Sequence, residues 1–386
     1  MLKKIRQLSC RERQQIGNTA GQVLQKRQWR IVELNGQGHR FWYVSILLQH
    51  LNELGLSGSA HLITRLEAKS TETWREHIRA HVESGLNVET TAESRREIIL
   101  STARRGTYLV VPDGDQWAWD LITARASIGP SLRGCILLMR PVPNAALKSR
   151  AKHIVKSILW RTAKTAHPGL SILSLVPARK SSASSRHVED PIVFRPSETT
   201  REAWLKSQGA DPNRHWLVVL GELSSRKCLK EIVAAISSAS VKSAGWGLIA
   251  IGRADSETAY LLGKALRLSD VSVVYDDRFL TDSDFDTWIS VADAVAVLHR
   301  NEGSSGVLLK CWVAGTPVLV GGARTVIDAA HSLHMESTSI ERITPLAIAV
   351  ALLQIVPGNR PSKVAHSSLA GRESAFADSL LGVVHR

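Results

Sequence analysis

Short apolar runs alternate with amphipathic stretches through residues 216–320, and this alternation constrains the fold more than any other feature of the sequence. The runs have the length of buried strands, and the stretches between them repeat apolar residues at helical spacing. Strands are predicted over 216–220, 247–251, 271–275, 294–298 and 317–320, and helices over 227–237, 257–266, 285–291 and 306–314. This order predicts a doubly wound α/β domain, in which ligands bind beyond the carboxyl ends of the strands.

The N-terminal half shows the same alternation, with strands predicted over 29–34, 60–64, 107–112, 135–140 and 171–176. The segment 179–200 is rich in Ser, Pro and charge, which indicates the crossing between two domains. A length of 386 residues also exceeds the usual size of one core. We therefore expect a first domain over 1–190, a second over 191–365, and over 366–386 a C-terminal helix that packs back on the first domain.

Cysteine usage and hydropathy narrow the class of protein. Cys10, Cys135, Cys228 and Cys311 are scattered singly, without the spacing of a zinc site or a disulfide framework. No apolar run approaches the roughly 20 residues that span a bilayer. The pattern favours a cytoplasmic protein that is soluble or peripheral at the inner face of a membrane. The formal charge of +14 favours polyanionic partners, and sugar nucleotides, anionic lipid surfaces and nucleic acids all qualify.

A polar loop between the strand at 294–298 and the helix at 306–314 is the first candidate site. It contains Glu302, Gly303, Ser304, Ser305 and Gly306. Backbone N–H groups and the positive end of the following helix would converge there on a diphosphate. Ordinary capping of a helix by a glycine-serine turn is the alternative.

A second glycine loop follows the strand at 216–220. Gly221 begins it, and Arg226 and Lys227 close it before the next helix. A guanidinium and an ammonium at this place can clamp phosphate oxygens and neutralise a departing nucleotide. The alternative is that both cations face solvent.

Residues 190–330 resemble the donor-binding domain of glycosyltransferase family 4, a retaining family of GT-B fold. The resemblance rests on DPIVFRPSETTREAWL, LVVLGELSSRKCLKEIVAAI, LIAIGRAD and VADAVAVLHRNEGSSGVLLKCWVAGTPVLV, which occur in the family's order. It implies an α/β fold of two Rossmann-like domains facing each other across a cleft. It also implies a glycosyltransferase of the hexosyltransferase type, which takes a nucleotide-sugar donor.

The resemblance carries roles to particular residues. Arg226 and Lys227 would hold the donor diphosphate, and Glu302 would contact hydroxyls of the donor sugar. The loop from Gly303 to Gly306, which includes Ser304 and Ser305, would lie below the phosphates. Gly252 and Arg253 would line the nucleobase side of the cleft.

The sequence departs from the family at Lys310, where a carboxylate near the nucleotide ribose is usual. An ammonium cannot accept hydrogen bonds from ribose hydroxyls, although it can meet a phosphate or a carboxylated sugar. The departure leaves donor identity open and motivates a second hypothesis, a noncatalytic subunit that binds sugar nucleotides.

A loop after the first strand of the N-terminal half carries Gly38, His39 and Arg40. These residues are expected to face the donor phosphates across the cleft and to touch donor or acceptor, although a single loop histidine is often incidental. Asp113-Gly114-Asp115 has the form of a metal-binding D-x-D, but a plain Asp-Gly turn is the preferred interpretation. Asp282, Asp284 and Asp286 are interpreted as acids at a helix start and not as a metal cluster. We therefore expect that no metal or other cofactor is required.

Nine Lys or Arg and no Asp or Glu occur over 141–187. Lys148, Lys152 and Lys156 recur at helical spacing, and Ala151, Val155, Ile158 and Leu159 form an apolar side. A solvated helix whose apolar side packs on the sheet is one interpretation, and a docking surface for anionic lipid headgroups is the other. The basic face suits a lipid-linked saccharide of an envelope polysaccharide as acceptor. DNA is a less favoured acceptor, because basic residues interleaved with stacking aromatics are not evident.

Overall fold

The computed structural model describes residues 27–36, 38, 40–139, 147–176, 187–267, 271–300, 305–335, 337–358 and 371–382. The first half of the chain contains strands β1 to β7 and helices α1 to α6. The strands are Trp29–Val32, Ala60–Thr64, Asn87–Thr90, Tyr108–Val111, Arg133–Leu138, Leu170–Val176 and His187–Glu189. The helices are Arg40–Glu53, Glu72–His77, Arg79–Glu83, Arg95–Arg104, Ala118–Ile128 and Leu147–Ala166.

The second half contains strands β8 to β13 and helices α7 to α15. The strands are His215–Leu220, Trp246–Ile251, Val273–Asp276, Ala294–His299, Val318–Gly322 and Ser337–Ile340. The helices are Arg201–Ser207, Leu229–Ile236, Ala239–Ser243, Ser256–Leu266, Asp282–Val291, Gly306–Ala314, Arg324–Ser332, Pro345–Gln354 and Arg372–Leu381.

Two parallel sheets organise the described part of the chain. Their strand orders are β3-β2-β1-β4-β5-β6-β7 and β10-β9-β8-β11-β12-β13. Each order reverses at a central pair, β1 with β4 and β8 with β11, which is the doubly wound arrangement. Apolar clusters cover both faces of both sheets, as parallel sheets require. The predicted α/β class with two Rossmann-like units is confirmed.

Helix α15 joins the layer that covers the first sheet. Its Phe376 stacks on Tyr43 of α1, with ring centroids 5.1 Å apart. The indole N–H of Trp29 in β1 donates to the carbonyl oxygen of Leu381, at 3.3 Å. The last described helix therefore packs on elements from the beginning of the chain. The domain limits given above stay a prediction.

The strands predicted from the sequence are all present, with ends displaced by a few residues. Strand β3 was not predicted because its sequence, NVET, lacks an apolar run. Strand β7 lies inside the segment interpreted as a crossing, and pairs with β6. The predicted helix at 227–237 begins only at Leu229, because Cys228 before it has a left-handed φ of 58°.

The prediction that the apolar side of helix α6 packs on the sheet is wrong for Val155 and Ile158. Both side chains are more than half exposed, while Trp160 and Ala163 are the buried residues of this helix. The helix is turned so that Ile154, Val155 and Ile158 face outward, whereas Leu159 packs against the core as predicted. Among the described helices, none is both long enough and apolar enough to cross a membrane.

Candidate functional site

The loops that follow β8 and β9 meet at the carboxyl edge of the second sheet. Gly252 has a φ of 141°, and a Cβ at this position would lie 1.9 Å from the carbonyl oxygen of Gly221. A bridge between Leu223 and Ala254 extends the contact between the loops. Only glycine permits this approach at Gly252, so the loop backbone is fixed where a ligand is expected.

Lys227 is buried in this corner, and it has no ion pair among the described residues. Its ammonium donates to the carbonyl oxygen of Leu220, and none of the described carboxylates lies within 4.0 Å of it. Burial, with a smaller contribution from Arg226, lowers the pKa of Lys227 to about 7. Lys227, which was predicted to contact a ligand, therefore lies in an environment where no described carboxylate forms an ion pair with its charged form.

Two polar atoms beside Lys227 are also unsatisfied. Ser224 Oγ and Arg226 Nε are buried and find no hydrogen-bond partner within the described part of the chain. The other end of Arg226 is more exposed, and its Nη2 lies 3.4 Å from an oxygen of the exposed Glu222. Buried polar groups are normally paired, and among the described residues Lys227 has only a backbone carbonyl as partner while Ser224 Oγ and Arg226 Nε have none.

His299, at the end of β11, was not predicted as a site residue. Burial, together with the neighbouring cations Lys227 and Arg226, lowers its pKa to about 4. The imidazole is therefore neutral at pH 7. Its position at a strand end directly before the polar loop was the sequence signal that could have identified it.

The loop before α12 is described only in part. Glu302, Gly303 and Ser304, three predicted site residues, lie outside the described residues. Ser305 is buried and caps α12 by accepting from the backbone N–H of Leu308, at 3.4 Å. Gly306 is the first residue of that helix. The Ser305 hydroxyl thus has the capping role that was the alternative interpretation.

The ammonium of Lys310 is engaged by two side chains of helix α11. Its Nζ lies 2.5 Å from Asp286 Oδ1 and 5.4 Å from the centroid of the Phe285 ring. Asp286 is almost fully buried and also accepts from the backbone N–H of Arg195, at 2.7 Å. The interpretation of Asp286 as an acid of the helix start is wrong, because Thr281 caps α11 and Asp286 lies beyond its first turn.

Arg253 bridges the two halves of the molecule. Its guanidinium contacts the Glu72 carboxylate at the start of α2, with distances of 2.7 and 3.3 Å. The cleft beside this contact is lined by Glu72, Arg75, Glu76 and Phe279. The predicted nucleobase residue therefore lies at the cleft, engaged by a carboxylate from the opposite side.

The loop after β1 brings charged groups together at the edge of the first sheet. Gly38 is exposed with a φ of 68°, and His39 lies outside the described residues. Arg40 Nε lies 2.5 Å from Asp113 Oδ2. Near them is Glu33, which sequence reasoning missed, and whose pKa burial raises to about 8.

Asp113 and Asp115 do not converge on one point. Asp113 pairs with Arg40, whereas Asp115 Oδ1 lies 2.9 Å from Lys156 Nζ on helix α6. No group of three or more potential metal ligands occurs among the residues that the structure describes. The expectation that no metal is needed stays a prediction.

Comparison with solved structures identifies the fold. HepE from Anabaena, solved in complex with UDP, matches with a TM-score of 0.58 at 12% identity, over 92% of this chain and 95% of that one. Sucrose-phosphate synthase from Thermosynechococcus elongatus matches with a TM-score of 0.56 at 14% identity, over 92% and 94%. WaaG, a glycosyltransferase involved in lipopolysaccharide biosynthesis, matches with a TM-score of 0.53 at 13% identity, over 91% and 95%.

These likenesses confirm the expected GT-B fold. No family model matches the sequence, and no curated protein matches it. Assignment to glycosyltransferase family 4 stays a prediction.

Proposed function

We propose that the protein transfers a glycosyl unit from a nucleoside diphosphate sugar to a hydroxyl acceptor. The observation that carries the proposal is the buried ammonium of Lys227, which has no ion pair among the described residues, beside Ser224 Oγ and Arg226 Nε, which have no described hydrogen-bond partner. A diphosphate supplies what this corner lacks, because its oxygens accept several hydrogen bonds and its charge balances the buried cation. The corner lies at the carboxyl edge of the sheet, where doubly wound domains bind ligands.

In the proposed reaction, the bond between the anomeric carbon and the diphosphate oxygen breaks, and the acceptor oxygen forms a bond to that carbon. Negative charge accumulates on the departing diphosphate while the sugar becomes oxocarbenium-like, and the acceptor hydroxyl passes its proton to an oxygen of that diphosphate. Lys227, Arg226 and the N-terminus of α12 stabilise that charge. The imidazole of His299 is neutral at pH 7, so it does not add a third positive charge beside Arg226 and Lys227 before the donor binds. Glu302 positions the sugar, and retention of configuration is proposed from the family resemblance alone.

UDP and UDP-glucose are the first donor ligands to test, because HepE was solved with each of them. The acceptor is proposed to be a saccharide or lipid-linked saccharide of an envelope polysaccharide, bound near Gly38 and Arg40. The resemblance of the sequence and the similarity to WaaG support this choice. A lipid-linked acceptor would bring the protein to the cytoplasmic face of a membrane.

A noncatalytic sugar-nucleotide-binding subunit is the second candidate, and Lys310 favours it. The Lys310 ammonium is engaged by Asp286, so this position supplies neither a ribose-binding carboxylate nor a free cation. Such a protein would bind the donor without turnover.

The proposal is tested by a thermal-shift screen against nucleoside diphosphates and sugar nucleotides, since a ligand specific for the folded state raises the melting temperature. Binding is then measured for Arg226→Ala and Lys227→Met, with Lys230→Met as control, because Lys230 is an exposed lysine three residues away. A shift that is reduced in the two site variants alone, followed by release of nucleoside diphosphate with acceptor, supports the enzyme.

Turnover assays with the donors that bind in this screen separate the two candidates. Donor binding without turnover, in wild type and in Glu302→Ala alike, supports the noncatalytic subunit. The absence of any shift would contradict both.

A further inference from the structure

Helix α6 carries an exposed aliphatic cluster of three residues. Ile154, Val155 and Ile158 are 58%, 57% and 56% exposed, respectively. Their spacing of three and four residues places them on one face of the helix, and Arg161, which is also exposed, follows on that face one turn later. Three large aliphatic side chains in water on one helix face indicate an interaction surface.

Other described residues of helix α6 fix its orientation on the domain, so the aliphatic cluster cannot rotate toward the core. Trp160 and Ala163 are buried beneath the helix. Lys156 pairs with Asp115 at 2.9 Å, and a ring nitrogen of His167, just beyond the helix, lies 2.9 Å from the carbonyl oxygen of Leu121 on α5. The outward orientation of the aliphatic cluster is therefore part of the folded state.

The charge of helix α6 itself has one sign, because its sequence contains no Asp or Glu and six Lys or Arg. Lys156 pairs with Asp115 and Lys164 donates to the carbonyl oxygen of Pro168, whereas Arg161 is exposed beside the cluster. Trp119, on the neighbouring helix α5, is 63% exposed. Aliphatic side chains, basic residues and an exposed tryptophan together match the boundary between lipid headgroups and acyl chains.

We propose that this face of helix α6 docks on an anionic lipid bilayer, with Ile154, Val155 and Ile158 entering the acyl boundary and Arg161 contacting headgroups. Charge complementarity selects an anionic surface over a neutral one. A nucleic acid would satisfy the cations but would leave the three aliphatic side chains facing phosphates. The inference does not depend on the proposed glycosyl transfer, and if that transfer is correct, docking brings the protein to its lipid-linked acceptor.

Helix α14 offers a matched control. Its Leu346 and Val350 are 75% and 49% exposed, and the helix carries no charged residue. The two helices thus present similar aliphatic exposure with and without cations. Glutamate substitutions on α14 repeat the chemical change without touching the proposed surface.

The experiment is flotation of the full chain with vesicles of phosphatidylcholine, alone or mixed with phosphatidylglycerol. Wild type should float with the mixed vesicles and not with phosphatidylcholine alone. Val155→Glu/Ile158→Glu should lower the partition coefficient roughly tenfold or more, because buried apolar area is lost. Arg161→Glu should lower it about fivefold or more, the value of one cation near an anionic surface. Leu346→Glu/Val350→Glu should bind as wild type does.

Circular dichroism and thermal unfolding establish that each variant is folded, and a nucleotide thermal shift reports the donor corner separately. Failure of wild type to float with anionic vesicles would overturn the docking proposal, as would floating of the α6 variants to the wild-type extent. Retention of a DNA duplex by all variants, with no flotation, would assign the basic face to nucleic acid instead.

Discussion

Replacement of Lys227 by methionine should make the protein more stable and a worse ligand binder. Methionine keeps the length of the side chain and removes the charge. Because the pKa of Lys227 is lowered from 10.5 to about 7, the unfolded state binds more protons than the folded state between these two values. The destabilisation by Lys227 is therefore full below pH 7 and declines as the pH rises toward 10.5.

The lowered pKa corresponds to about 5 kcal/mol as an upper bound. Local relaxation reduces this value, and the variant also loses the hydrogen bond to the Leu220 carbonyl, which costs about 1 kcal/mol. We expect Lys227→Met to raise the free energy of unfolding by about 2 kcal/mol at pH 6, with the gain shrinking at higher pH. Urea titrations of both proteins across the pH range measure this difference.

Ligand binding should change in the opposite direction. Hydrogen bonds from a charged donor to phosphate contribute about 1.5–3 kcal/mol, so loss of the ammonium weakens nucleoside diphosphate binding roughly 10- to 150-fold. A bound diphosphate also raises the pKa of Lys227, so wild type takes up a proton on binding at pH 8. Calorimetry in buffers of different ionisation enthalpy measures this uptake, which the variant should lack.

Lys230→Met is the control for both effects, because Lys230 is exposed on the next helix. It should leave stability, affinity and proton uptake unchanged. The reasoning is refuted if Lys227→Met is less stable than wild type and binds nucleotide equally well. Lys227 would then be a structural donor to the Leu220 carbonyl and not a ligand group.

Three further substitutions test the surrounding structure. Lys310→Glu should destabilise the protein by about 3–5 kcal/mol in urea unfolding, because it leaves the buried Asp286 beside a second carboxylate. Adding Asp286→Asn should recover part of the loss. Equal stability of wild type and Lys310→Glu would contradict the importance of this ion pair. Gly252→Ala should lower the free energy of unfolding by at least about 2 kcal/mol, because its Cβ meets a backbone carbonyl. Gly263→Ala, in an open helical position, should be neutral or stabilising in the same urea unfolding assay. Glu72→Ala removes a half-exposed ion pair across the cleft and should change the free energy of unfolding by less than about 1 kcal/mol. It should also enlarge the radius of gyration in solution scattering. An unchanged radius would show that other contacts keep the two domains together.

The sequence pattern predicted the strand-end loops better than the contacts made inside them. Arg226 and Lys227 were assigned to a loop at a strand end, and the structure has them there. The partner of Lys310 was not predictable, because Asp286 is 24 residues away on another helix and its acidic neighbours resemble an ordinary helix start. Arg253 and Glu72 are 181 residues apart, and no local pattern connects them.

The sequence by itself determined the alternation of strands and helices, and with it the parallel sheets and the edge at which their loops converge. Strand and helix periodicity is a local property, and the order of parallel strands then brings distant loops to one edge. Only the tertiary structure decided that Lys227 is buried with no ion pair among the described residues, that Lys310 is engaged by Asp286, and that Ile154, Val155 and Ile158 of α6 face outward. Desolvation and ion pairing depend on groups far apart in the chain, so their outcome becomes visible only when the chain has folded.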